Sequence, residues 1–173
     1  MAFALAAALS FLCTPLAGRL AHVIGAIDDP KSSDRRVHDK PTPRLGGVAI
    51  FFGAAFSMIM FSDLEIRKLL GMLIGSVILV VMGTIDDARP LPAKVKLLVQ
   101  IGAAFVLIGF GYRITFLTNF FGQAFGNSEM IHINGELISI IATVIWIVGI
   151  TNTVNLIDGL DGLATGVTTM ASL

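Results

Sequence analysis

The chain has 173 residues, 55% of them hydrophobic and 14% charged, with 12 basic side chains balanced by 12 acidic ones and a mean hydropathy of +0.85. A soluble domain carries about 25% charged residues, so an ordinary water-soluble globule is disfavoured, and zero net charge leaves no global field to attract nucleic acid. The lone cysteine, Cys13, excludes an internal disulfide framework. These properties point to an all-α, polytopic transmembrane helix bundle that uses lipid as its solvent.

Taken in chain order, residues 1–18, 45–62, 69–85 and 97–112 are free of charge. Each is long enough, or nearly so, to cross a hydrocarbon layer of about 30 Å, which takes about 17–25 helical residues. A fifth run, 137–157, is the longest and carries Asn152 and Asn155 as its strongly polar groups; a sixth, 162–173, is too short to span. The expectation is one integral membrane domain with five spans and the start of a sixth. The first run lacks the basic segment of a signal peptide, so it reads as a retained helix, bent near Pro15. Small residues such as Gly53, Gly71, Gly75 and Gly102 suit close helix packing in lipid. In the fourth loop, Phe116, Leu117, Phe120, Phe121 and Phe125 suggest a segment resting on the outer interface. Residues 130–133 before Asn134 and Gly135 predict a short external hairpin turning at that Asn-Gly pair.

Orientation follows from the basic residues, because cytoplasmic loops hold their excess. The first connection has Arg19, Lys31, Arg35, Arg36, Lys40 and Arg44, and the third has Arg89, Lys94 and Lys96. Together they hold nine of the twelve, against Arg67, Lys68 and Arg113 in the second and fourth. Loops one, three and five are therefore expected in the cytoplasm and the N-terminus outside.

The carboxylates sort to the same side. Asp86 and Asp87 sit where the third span leaves the membrane, Asp158 and Asp161 where the fifth does, and a compact bundle can bring the two clusters together. Ionisable groups at membrane depth are costly and mark functional candidates. Four acids without a cation would repel one another and take up protons; a divalent metal or nearby Lys and Arg would relieve this. Adjacent aspartates on a helix point about 100° apart, so Asp86 and Asp87 are expected to differ in role, and the pair reads equally well as a helix terminator beside Arg89 and Pro90. The run from Asn152 through Asn155, Asp158 and Asp161, broken by Gly159 and Gly162, is more informative. Oxygen-bearing side chains spaced by three at a helix end suit Mg²⁺ shared with phosphate oxygens. In the first loop, Pro41-Thr42-Pro43-Arg44-Leu45-Gly46-Gly47 favours extended backbone before a helix whose glycine start can meet an anion. Arg44 could neutralise phosphate or serve only as a topology signal, and His38 could be pH-active or merely solvated.

These motifs resemble the polyprenyl-phosphate N-acetylhexosamine-1-phosphate transferases of glycosyltransferase family 4. Members of that family initiate teichoic-acid linkage, O-antigen and common-antigen synthesis, and they are related to the phospho-N-acetylmuramoyl-pentapeptide transferases. The likeness rests on Asp28-Asp29-Pro30 with Arg35-Arg36-Val37-His38, on the Pro41 to Gly47 wording, on Gly83-Thr84-Ile85-Asp86-Asp87-Ala88-Arg89-Pro90-Leu91, and on residues 152–162 with Leu163 and Ala164. It implies transfer of a sugar 1-phosphate, N-acetylglucosamine 1-phosphate being the commonest choice, from a UDP-sugar to undecaprenyl phosphate, with release of UMP. It also implies a Mg²⁺ requirement that Mn²⁺ could meet, an active face on the cytoplasmic side of the plasma membrane, and compatibility with a homodimer. By motif, Asp86, Asp87, Asp158 and Asp161 are the catalytic acids, with Asp158 and Asp87 on the metal. Asn155, Asn152, Arg44 and His38 are the substrate-binding candidates. Relatives are about twice as long, so the 173 residues read as an N-terminal fragment that does not catalyse alone. Two other classes compete: an intramembrane Mg²⁺-dependent prenyltransferase, whose Asp-x-x-x-Asp spacing is not matched, and half of an ion-coupled transporter, whose acids would lie nearer mid-membrane.

Overall fold

The computed structural model describes residues 1–28, 42–117, 130–133, 135–157 and 163–171. The helices are α1 (Ala2–Ile24), α2 (Gly46–Phe61), α3 (Ile66–Ala88), α4 (Ala93–Gly109), α5 (Glu136–Ile157) and α6 (Leu163–Ala171). Two short antiparallel pairs join them: β1 (Ile27–Asp28) with β2 (Thr42–Pro43), and β3 (Phe116–Leu117) with β4 (Ile131–His132). The chain is thus essentially all-helical, and α1, α3 and α5 are long and apolar enough to cross a membrane. At 1.5 Å per residue, a helix of 22 or 23 residues is about 33–35 Å long. The shorter apolar helix α2 has 16 residues.

Two compact units divide the chain, residues 1–99 and 100–173. In the first, α1 and α2 run antiparallel in close contact: the Ser57 hydroxyl donates to the Ala2 carbonyl (2.7 Å), and Gly53 packs on the backbone of Ala6 and Ser10. At the other end of the pair, Ala17, Ala21, Ala26, Leu45 and Ala49 form the core, with Cys13, Val48 and Ala88 against it. The interior is small and the exterior large: Phe3, Phe11, Leu12, Leu16 and Val23 of α1 are all exposed. Lipid is as apolar as leucine, so helices in a bilayer associate through small residues and keep bulky ones outward.

Helix ends depart from the ends of the apolar runs. α1 continues past Gly18 and Pro15 and stops at Gly25, whose left-handed backbone (φ 78°) lets the Gly25 and Ala26 N–H groups bond Ala21. Arg19 and His22 therefore ride on the helix. α4 starts four residues before the expected 97 and ends three before 112.

In the second unit, α5 is tied to the stretch that follows α4. Thr143 Oγ1 accepts from the Ile114 N–H (2.9 Å), Ser139 Oγ donates to the Ile114 carbonyl (2.7 Å), and Arg113 pairs with Glu136 (2.6 Å). The hairpin expectation needs correction. The strand Ile131–His132 pairs upstream with Phe116–Leu117; Asn134 lies outside the described residues, and Gly135, at φ 130°, leads directly into α5 rather than into a second strand, its carbonyl accepting from the Ser139 N–H. The local Asn-Gly signal was outweighed by a strand partner more than a dozen residues away. Phe120, Phe121 and Phe125 lie outside the described residues.

Candidate functional site

Asp86 and Asp87 occupy the last turn of α3. The helix stops there because Arg89, preceding Pro90, is driven to extended backbone (φ −146°, ψ 111°). Asp86 then gathers the chain that follows: its Oδ1 accepts from the Leu91 N–H at 2.8 Å and its Oδ2 from Lys96 Nζ at 2.6 Å. Charge-assisted bonds of this length are roughly twice as strong as neutral ones. Both side chains are about three-quarters shielded, with 26% and 30% exposure, so the pair is less screened than a surface salt bridge. Asp86 thus holds the turn between α3 and α4 closed. The helix-terminator reading describes the contacts of Asp86.

Arg44 lies close enough for its charge to act on Asp86. Its place is set by neighbours with no chemistry of their own. The Arg44 N–H bonds the Ala26 carbonyl (3.0 Å), and Leu45, 1% exposed, is sunk in the core beside Ala88. Arg44 itself is exposed, as are Gly46 and Gly47, and nothing lies within 4 Å of where a side chain on either glycine would begin. One corner of the first unit therefore combines two cations, Arg44 and Lys96, with the acidic pair.

In the second unit, Asn152 is half-buried on α5 and Asn155 exposed one turn on. The Asn152 amide donates to Gln100 Oε1 of α4 at 2.7 Å and to the Val148 carbonyl at 2.8 Å. His38, Asp158 and Asp161 lie outside the described residues. Sequence reasoning treated Lys96 as a topology charge and passed over Gln100. The signal for Gln100 was there to read: it is the sole strongly polar side chain in the apolar stretch 97–112, and polar groups at that depth need a partner.

Hard oxygen donors suit Mg²⁺, but the described acids differ in fit. Asp86 is already neutralised by Lys96 and bonded through both oxygens, which suits an anchor better than a metal ligand. Among the described residues no three His, Cys, Asp or Glu side chains cluster as a metal site, and the second acidic run falls outside them.

The sequence profile of glycosyl transferase family 4 matches residues 69–173. A probable undecaprenyl-phosphate N-acetylglucosaminyl 1-phosphate transferase of Bacillus subtilis is 39% identical over 96% of this chain and 44% of its own length. A decaprenyl-phosphate N-acetylglucosaminephosphotransferase of Mycobacterium leprae is 32% identical over 93% of the chain and 41% of its own. A phospho-N-acetylmuramoyl-pentapeptide-transferase of Rickettsia bellii is 31% identical over 80% of the chain and 40% of its own. The chain thus spans under half the length of these relatives. No solved structure matches it.

Proposed function

The chain belongs to glycosyl transferase family 4, and from that premise we propose that it is part of an enzyme that moves a sugar 1-phosphate from a UDP-sugar onto undecaprenyl phosphate. The observation that carries the reading is the match over residues 69–173, which contains both acidic runs in one stretch. An oxygen of the acceptor phosphate attacks the sugar-bearing phosphorus, the new P–O–P linkage forms, the bond to the uridylyl phosphate breaks, and UMP leaves. A phosphate monoester is already largely ionised near neutral pH, so positioning and charge neutralisation do more than proton removal.

In this reading Arg44 meets phosphate charge, while Asp86 and Lys96 keep the α3–α4 corner rigid behind it. Asn155, Asn152 and His38 are assigned to substrate binding. Mg²⁺ would be held by Asp87 and Asp158, with Asp161 assigned to the same catalytic set, and would offset the charge that builds on the transferring phosphoryl oxygens; Mn²⁺ would serve in its place. The polypeptide passes the plasma membrane five times, begins a sixth pass, starts outside and works on its cytoplasmic face. N-acetylglucosamine 1-phosphate is the sugar phosphate the relatives' names favour.

The test is transfer of radiolabelled N-acetylglucosamine 1-phosphate into lipid. A protein of the relatives' length should label undecaprenyl phosphate in a Mg²⁺-dependent way, and the 173 residues alone should not. Asp87→Asn and Asp158→Asn should each cut transfer by about two orders of magnitude or more with unchanged folding. Near-normal transfer in both variants would reject the site.

A further inference from the structure

The bond between Gln100 and Asn152 has a consequence for how the second unit presents its amide. Gln100 is 4% exposed on α4, and burying an amide is costly unless its polar atoms are bonded. The Val148 carbonyl can only accept, so the Asn152 nitrogen must face it, and the same nitrogen donates to Gln100 Oε1. Both contacts therefore use the Asn152 NH₂, and its carbonyl oxygen, Oδ1, takes part in neither. An asparagine bonded only to its own helix would keep rotamer freedom; one held from a second helix has a fixed direction.

We propose that Gln100 is a positioning residue for the transfer site: from α4 it locks the Asn152 amide so that Oδ1 accepts from a hydrogen-bond donor of the substrate, such as a hydroxyl of the sugar nucleotide. This rests on the transferase reading above. It assigns no contact between Gln100 and substrate; Gln100 acts through Asn152. The side chain that matters is an acceptor, so its replacement by an apolar group of similar size and by another acceptor have opposite consequences.

The experiment uses the intact protein in lipid nanodiscs with UDP-N-acetylglucosamine and undecaprenyl phosphate. Gln100→Leu fills the space and suits a membrane helix but cannot accept; it should lower kcat about tenfold, as loss of a positioning contact does. Gln100→Glu keeps a carbonyl acceptor in either protonation state and should restore most of kcat. A merely structural role predicts the reverse order, because leucine is the better buried residue, and that order would overturn the proposal. The double variant Gln100→Leu with Asn152→Ala should lose no more than Asn152→Ala alone, since coupled residues are not additive; a product of the two losses would also overturn it. Hydrogen exchange separates the two levels. Gln100→Leu should speed exchange selectively in residues 152–157, whether or not the protein transfers sugar. Unchanged exchange there overturns the positioning role. Faster exchange in a protein whose wild type transfers nothing upholds the lock and rejects the transferase reading.

Discussion

Asp86, beside Asp87 at the end of α3, has contacts that predict what its substitution does. Asp86 makes two charge-assisted bonds, to Leu91 and Lys96, and hydrogen bonds to charged groups contribute about 1.5–3 kcal/mol each. Asp86→Asn retains an acceptor for the Leu91 N–H and loses the charge that binds Lys96. It should therefore destabilise the protein by about 1–3 kcal/mol, read as a lower midpoint in a denaturant titration in detergent. Lys96→Met should produce a similar fall, and the double variant should fall by less than the sum. Asp87→Asn should remove transfer, read as loss of radiolabel in lipid. Wild-type midpoints for Asp86→Asn and Lys96→Met would reject Asp86 as the anchor of this corner. The sequence showed both aspartates and their separate directions on a helix. The partner of Asp86 was not legible, because Lys96 comes within reach only through the break in helix at Arg89 and Pro90.

At the scale of helices, each hydrophobic run falls on a helix among the described residues, and three of these helices are long and apolar enough to cross a membrane, where a helix satisfies its own backbone bonds. The ends were less legible. They depend on backbone events such as Gly25 and Pro90, and a charged residue like Arg19 can stay helical while its long side chain reaches the interface. How the helices pack is written in the glycines. A β-carbon at Gly53 would strike the Ala6 carbonyl and come within 2.9 Å of the Ser10 nitrogen, both backbone atoms that cannot swing away. At Gly102 it would meet nothing within 4 Å. Gly53→Ala should therefore cost about 1–3 kcal/mol by forcing α1 from α2. Gly102→Ala should be neutral or gain up to about 1 kcal/mol from helix propensity. Thermal unfolding of both variants in one detergent provides the check; equal tolerance would mean that the α1–α2 contact is not tight.

For the whole molecule the open quantity is direction across the membrane, which composition governs more than packing does. The positive charges that set it are not all in loops: Arg19 lies in α1, Lys94 and Lys96 begin α4, and Arg67 and Lys68 begin α3. Counted by the side on which they emerge, the bias is unchanged, because a charge at a helix end and one in the adjoining loop face the same water. The bias therefore still predicts the α3–α4 connection inside and the α2–α3 connection outside. Cys13 is the one cysteine among these 173 residues, so Cys13→Ser clears them of thiol for single-cysteine labelling. In intact cells a membrane-impermeant maleimide should label Ser62→Cys, and it should label Arg89→Cys only after the membrane is opened. The opposite pattern would put Asp86, Asp87 and Arg44 on the outer face, away from cytoplasmic UDP-sugars, and the proposed transfer would lose its donor even if every residue assignment were right.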